Sequence, residues 1–190
     1  MNILIVKAHP SPHGHVHKIA ETYAEAKKAK KHEVKIIDLY DPKNKEDFLC
    51  FDNIRDMQSP PEQIQFEKDV TWADEIVVVF PIWWGMPPAV MMNWVDLTFW
   101  AHFAYKFSPT GKMLPMLNGK TAKVFATAGG PSFIYYLPIF PLRQFWGLTL
   151  FRSVGIELVD FKVCGHLDQY KDEKKERHFQ KFLRDVRESA

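Results

Sequence analysis

Short apolar blocks alternate along this chain with longer segments whose apolar positions recur at helical spacing. Ile3–Val6 opens as a strand, and His15–Lys30 follows as a helix with Ile19, Tyr23 and Ala26 on one face. Val34–Ile37 is a second strand, closed by Asp38-Leu-Tyr-Asp-Pro42, and a polar loop through Asp56 leads to a helix at Pro61–Ala73. The block Glu75-Ile-Val-Val-Val79, running on to Phe80, is apolar after its first residue and mostly β-branched, the pattern of a strand buried on both faces. Ala89–Trp100 places Val90, Trp94 and Leu97 at helical spacing. A loop carrying Pro109, Gly111 and Pro115 precedes a fourth strand, Ala122–Thr127. A mixed segment and helix over Tyr135–Val154, a fifth strand at Glu157–Val163 and a charged helix at Asp172–Glu188 complete the pattern.

Strands alternating with helices imply a parallel sheet covered on both faces. Five strands in this rhythm suit a doubly wound sheet of order 2-1-3-4-5, in a single domain spanning 1–190. Ligands of such sheets bind outside the carboxyl ends of the strands, here at the switch between strands one and three.

Composition narrows the function. The chain has 25 Lys and Arg against 23 Asp and Glu, a net charge of +2, and no basic stripe interleaved with aromatics, so no nucleic-acid surface is expected. The Lys27-Lys28-Ala-Lys30-Lys31 cluster falls where cations suit a helix end. Cys50 and Cys164 have no metal or disulfide spacing, which points to a reducing, cytoplasmic compartment, and Met1–Val6 is too short for a secretion signal. Pro138, Pro141 and Arg143 interrupt the apolar stretch Ser132–Phe151, so it is expected to meet a second subunit, not to span a membrane. Phe99, Trp100, Phe103 and Phe107 border a loop and are expected to add to that exposed apolar surface.

Three loops carry the chemistry. Phe80-Pro-Ile-Trp-Trp-Gly-Met-Pro-Pro-Ala89 places two flat rings at the end of the third strand, with Pro87 and Pro88 suited to the start of the next helix. The loop His9-Pro-Ser-Pro-His-Gly-His-Val-His17 feeds a helix start, where free N–H groups and the dipole favour a phosphate, and Gly14 is expected to allow close backbone approach. Its histidines lack accompanying cysteines or carboxylates, and Pro10, Pro12 and Gly14 break the spacing a metal would need, so no metal site is expected. Thr127-Ala-Gly-Gly-Pro-Ser132 follows the fourth strand, and its paired glycines can turn backbone N–H groups toward a ligand. Meeting at one sheet edge, the three loops suit a flavin.

The segments His9-Pro10, Phe80-Pro-Ile-Trp-Trp-Gly85, Trp94-Val-Asp96, Phe103-Ala-Tyr105, Leu117-Asn-Gly-Lys120 and Ala128-Gly-Gly-Pro131 resemble the NAD(P)H:quinone oxidoreductase family. That family includes DT-diaphorase, the modulators of drug activity and the ancillary subunits of potassium efflux systems. The resemblance implies a flavodoxin-like three-layer sandwich with helices on both faces, and a homodimer that holds FMN or FAD non-covalently. It further implies reduction of quinones by NAD(P)H in a two-electron ping-pong cycle. By the same resemblance, His9 with Gly14, His15, Val16 and His17 hold the flavin phosphate. Pro81, Ile82, Trp83, Trp84 and Gly85 lie along the isoalloxazine, and Ala128, Gly129, Gly130 and Pro131 meet its pyrimidine edge. Tyr105 and Phe107 reach the partner's pocket and bind substrate, and Tyr135 is the candidate catalytic residue near the flavin.

Two departures stand out. Gly14-His-Val-His17 replaces the family's Ser-x-x-Asn, and Pro141 stands where DT-diaphorase has the histidine that pairs with its tyrosine. Two other roles fit a flavoprotein of this size. One is a one-electron carrier, which the absence of acidic excess disfavours. The other is a regulatory subunit that meets the membrane only through a transporter.

Overall fold

The computed structural model describes the backbone of residues 1–50 and 61–190, with side chains described through residue 50 and from residue 64 onward. The part of the expected polar loop up to Asp56 that follows residue 50 lies outside them. Strands β1 (Asn2–Lys7), β2 (Glu33–Asp38) and β3 (Glu75–Pro81) alternate with helices α1 (His15–Ala29), α2 (Pro61–Trp72) and α3 (Ala89–Thr98). A hairpin, β4 (Tyr105–Phe107) and β5 (Met113–Pro115), precedes β6 (Thr121–Thr127). The chain then passes through a 3-10 turn at Ser132–Tyr136 and a composite helix. That helix is α over Leu142–Gln144 (α4), π over Phe145–Phe151 and α again over Arg152–Val154 (α5). Strand β7 (Glu157–Cys164) and helix α6 (Asp172–Glu188) close the fold.

All four pairings of the main sheet are parallel, and its order is β2-β1-β3-β6-β7. With β4 and β5 set apart, this is the expected 2-1-3-4-5. Strand β3 is central and buried at every position, as its apolar run from Ile76 onward favours, and it buries the Glu75 carboxylate at its start. The pleat divides its side chains between two cores. Val77 and Val79, with Ile3 and Ile5 of β1, pack under α1 and α6. Ile76, Val78 and Phe80, with Leu4 and Val6, pack under α2, α3 and the composite helix, against Trp94, Trp146 and Phe151.

Two expectations are corrected. The loop around Pro109 and Gly111 is a β-hairpin whose strands were too short to show a period. Of the four aromatics expected at the surface, only Phe107 is exposed, at 60%. Phe99 is buried against Trp94 and Phe151, Phe103 packs on the core, and Trp100 donates its indole N–H to Glu67 at 2.6 Å. The apolar stretch from Ser132 is broken into turn and helix, and among the described residues no helix is long and apolar enough to cross a membrane.

The two thiols differ in environment. Cys50 is exposed, whereas Cys164 is buried at the end of β7 and burial pushes its pKa up to about 12. A thiol reagent at pH 8 is expected to modify Cys50 rapidly and Cys164 only after unfolding. The folded chain keeps the Cys164 proton, and that of the buried Tyr23 hydroxyl, at a pH where the unfolded chain has lost both. More protons on the folded state means stability falls as pH rises. Lys123, lowered by burial, acts in the opposite sense, but its influence fades above pH 10.5, as the unfolded chain also loses that proton. Denaturant midpoints measured from about pH 10.5 upward should therefore decline; a flat profile would show that neither buried group is held protonated.

Candidate functional site

The sheet hydrogen bonding continues past the strand ends and sets three loops side by side. Ala8 N–H donates to Val79 O at 3.0 Å, Ile82 N–H to Thr127 O at 2.7 Å, and Ala128 N–H to Cys164 O at 2.9 Å. The loops after β1, β3 and β6 thus leave one edge together, as adjacent parallel strands require. Among their side chains, His9 lies 6.5 Å from Trp83 and 6.0 Å from His17, centroid to centroid.

The β3 loop is a tight hairpin. Trp83 and Met86 exchange two backbone hydrogen bonds of 2.9 and 3.0 Å around Trp84 and Gly85, at φ +53° and +80°. Positive φ at both central positions is the type I′ turn, natural for Gly85 but costing about 1–3 kcal/mol at a residue as large as tryptophan. The turn holds Trp84 fully exposed and Trp83 43% exposed, while Pro81 and Ile82 are buried beneath. A strained backbone that presents a bare indole to solvent has no packing purpose within this chain. It offers a flat ring for stacking.

The β1 loop ends at Gly14, the N-cap of α1, which has no side-chain cap. His17 N–H is taken by Gly14 O at 3.1 Å, and the backbone N–H groups of His15 and Val16 share that first turn. The Val16 side chain is wholly buried, so it can offer a ligand only its backbone. The space a Cβ would need at Gly14 is filled from within: it would lie 2.8 Å from two atoms of the His9 ring. In this structure Gly14 admits the His9 ring. His9 Nδ1 lies 3.1 Å from both Ser11 N and Ser11 O. His15 rests edge-on against Phe179 at 4.4 Å, and burial, with the Lys175 ammonium second, lowers its pKa from the ordinary histidine value. His17 is 6% exposed; its Nδ1 meets the Lys7 ammonium and its Nε2 has no partner among the described residues.

The β6 loop is braced by a segment that the sequence reading passed over. His166 N–H donates to Gly130 O at 2.7 Å and Leu167 N–H to Ala128 O at 3.2 Å. A Cβ on Gly165 would strike Ser132 N and Gly130 O, and one on Gly129 would strike the Asp168 carboxylate. Gly130 differs, since nothing among the described residues lies within 4 Å of its Cβ position. Gly129 and Gly165 thus serve internal packing, while Gly130 faces open space with Pro131 beside it. A glycine directly after an apolar strand, here after Val163-Cys164, was the available signal for the bracing segment.

Tyr105 is half-buried on β4, with Phe107 5.7 Å away across the ring centroids and exposed. Tyr135 is 7% exposed, packs 5.8 Å from Phe140, and has its pKa raised by burial. Among the described residues no group of histidines, cysteines and carboxylates could hold a metal ion. A cavity of about 610 Å³ lies along β7 and the π segment, lined by Arg143, Arg152 and Leu158, but touches none of the three loops. The loops therefore define the candidate site, and they fit a flavin on three observations. These are an uncapped helix start beside a buried imidazole nitrogen without a partner, an open glycine edge and an exposed indole.

The family model of the flavodoxin-like fold matches residues 1–190. The chain belongs to the flavodoxin-like NAD(P)H oxidoreductase family. It is 30% identical to an NAD(P)H oxidoreductase of Haemophilus influenzae, over 88% of this chain and 85% of that one. It is 28% identical to rat NAD(P)H dehydrogenase [quinone] 1, over 68% of this chain but only 54% of that protein. The chain thus spans little more than half the length of this mammalian relative, and 58% of a matching fungal one. Among solved structures, Smu.1420 of Streptococcus mutans superposes with a TM-score of 0.83 at 26% identity, covering 99% of this chain and all of that one. An FMN-dependent NADH-azoreductase of Bacillus anthracis, solved with FMN, superposes with a TM-score of 0.77 over 99% of this chain and 96% of that one; at 17% identity the likeness shows the fold alone.

Proposed function

We propose that this chain is a cytoplasmic, homodimeric flavin-dependent NAD(P)H oxidoreductase that reduces quinone-like acceptors by two-electron transfer. The observation that carries the reading is the meeting of an exposed Trp84, an open Gly130 and an uncapped α1 start at one sheet edge. When bound there, a flavin supplies the capacity to take hydride from a nicotinamide and pass it to an acceptor. The chain's own residues do the rest. His9, His15 and His17 with the first turn of α1 hold the phosphate; Pro81 to Gly85 wall the ring; and the backbone of Ala128 to Pro131 meets its pyrimidine edge. FMN or FAD satisfies this arrangement, and a cavity of about 650 Å³ lined by His15, Asp172, Lys175 and Glu176 leaves room for the second nucleotide half of FAD.

The pocket is completed by a second copy of the chain. Phe107, Phe133 and Ile139 are 60%, 62% and 79% exposed, more apolar side chain than a lone subunit leaves wet without cause. From the partner, Tyr105 and Phe107 would cover the flat substrate. One covered face admits one ring at a time, so nicotinamide and quinone exclude each other.

Initial rates measured over a grid of NAD(P)H and quinone concentrations should therefore give parallel double-reciprocal lines. Tyr105→Ala should lower kcat/KM for both substrates by about tenfold, the loss of roughly one stacking contact. Tyr135→Phe should keep most of the activity, because that ring lies in the core and Pro141 cannot act as its proton partner. Intersecting lines, with a ternary complex at equilibrium, would establish two separate substrate sites and contradict the proposal.

A further inference from the structure

We infer that Lys7, paired with Asp38, holds His17 as the neutral tautomer protonated at Nε2, and that this N–H donates to the phosphate of the flavin. The inference rests on the function proposed above and deepens its phosphate site.

Lys7 and Asp38 are the last residues of β1 and β2, and the parallel register sets them opposite each other. Their side chains form an ion pair at 3.1 Å. The same ammonium reaches His17 Nδ1 within hydrogen-bonding distance. An ammonium can only donate, so Nδ1 must be the accepting, unprotonated nitrogen, and a neutral ring then carries its proton on Nε2. The competing arrangement, a charged His17 donating from Nδ1 to Asp38, would need a bond across 3.8 Å, beyond hydrogen-bonding range. Lys7, nearer to both groups, takes that place.

Nε2 is buried and has no partner among the described residues. A buried N–H left without an acceptor is a penalty that native structures rarely keep unless a ligand removes it. His17 stands in the first turn of α1, where the N–H groups of His15 and Val16 already favour an anion. The His9 ring lies beside it and fills the space over Gly14. Its hydrogen bonds run to the Ser11 backbone, and donation from Nε2 to a phosphate requires the side chains that bury it to give way. The chain also explains its own departure from the family here. An asparagine amide donates without help, whereas an imidazole donates at a chosen nitrogen only if something fixes its tautomer. Lys7 does so.

Two measurements test the inference. Long-range ¹⁵N–¹H spectra of histidine-labelled protein freed of flavin should show His17 as the Nε2–H tautomer; an Nδ1–H pattern would overturn the inference. Fluorescence titration with FMN, and with FAD in parallel, then reads the donor. His17→Ala should weaken binding roughly ten- to hundredfold and His17→Asn no more than about threefold. Lys7→Met should weaken binding roughly tenfold with His17 present, and by less than about threefold in the H17N background. Equal losses in both backgrounds would mean that Lys7 acts on β1–β2 pairing alone and would overturn the positioning role. Absence of any flavin binding would contradict the function proposed above and with it the phosphate role of His17, whereas the tautomer, read without flavin and without mutation, decides the positioning of His17 by Lys7 separately.

Discussion

Gly130→Val is expected to lower flavin affinity by at least about a hundredfold while leaving the fold intact. The Cβ position at Gly130 meets nothing within 4 Å among the described residues, so these give no reason to reject a larger side chain. The new isopropyl group would instead occupy the space in which the loop backbone meets the ligand. Displacing a ring edge and its hydrogen bonds costs about 3 kcal/mol or more, which is a hundredfold in affinity. The neighbouring glycines supply the contrast. Gly165→Val should destabilise the protein before any ligand is added, because its Cβ would strike the backbone of Ser132 and Gly130. Thermal melts and flavin titrations of the two variants separate the cases. Unchanged affinity in a folded G130V protein would remove the Ala128–Pro131 loop from the site.

Glu75→Gln is expected to cost about 3–5 kcal/mol of stability and to leave flavin binding unchanged. Glu75 begins β3 at the edge opposite the site and is almost wholly buried. Its carboxylate accepts from Tyr23 at 2.6 Å and pairs with Lys27 at 3.0 Å and Lys123 at 3.6 Å, both also buried. Lys123 further donates to Ser189 O, which ties the end of α6 to the same knot. The near-isosteric amide removes the charge and turns one accepting oxygen into a donor, leaving two buried ammonium groups uncompensated, the circumstance in which breaking a buried pair is most costly. At roughly 2–4 °C per kcal/mol for a chain of this size, the melting temperature should fall by about 6–20 °C. A fall of less than about 2 °C would show that the lysines shed their protons without penalty.

Most of the architecture was legible because burial writes strong periods. The unbroken run Glu75–Phe80 could belong only to a central strand or a buried helix, and flanking prolines with Gly85 decided for the strand. The hairpin Tyr105–Phe107 with Met113–Pro115 escaped because three residues carry no usable period. Aromatics beside a loop, such as Phe99, looked exposed because sequence proximity does not report that Trp94 and Phe151 fold over them. In the site, the loops could be placed from their strands, but not the work of each residue. Gly14 and Gly130 read alike in sequence, and only packing shows that one admits His9 while the other faces open space. The partners of His17 lie at the ends of two different strands, so no local motif could have joined Lys7 to Asp38.

The most direct test of the account is whether the purified protein holds a flavin. It should be yellow as isolated, or bind added FMN or FAD with a dissociation constant below about 10 μM, which asks of the site only about 7 kcal/mol. Chromatography of the chromophore released by heat names which of the two it carries. A colourless protein that binds neither flavin at that concentration would contradict the assignment of the three loops to a flavin site, and with it the proposed oxidoreductase activity.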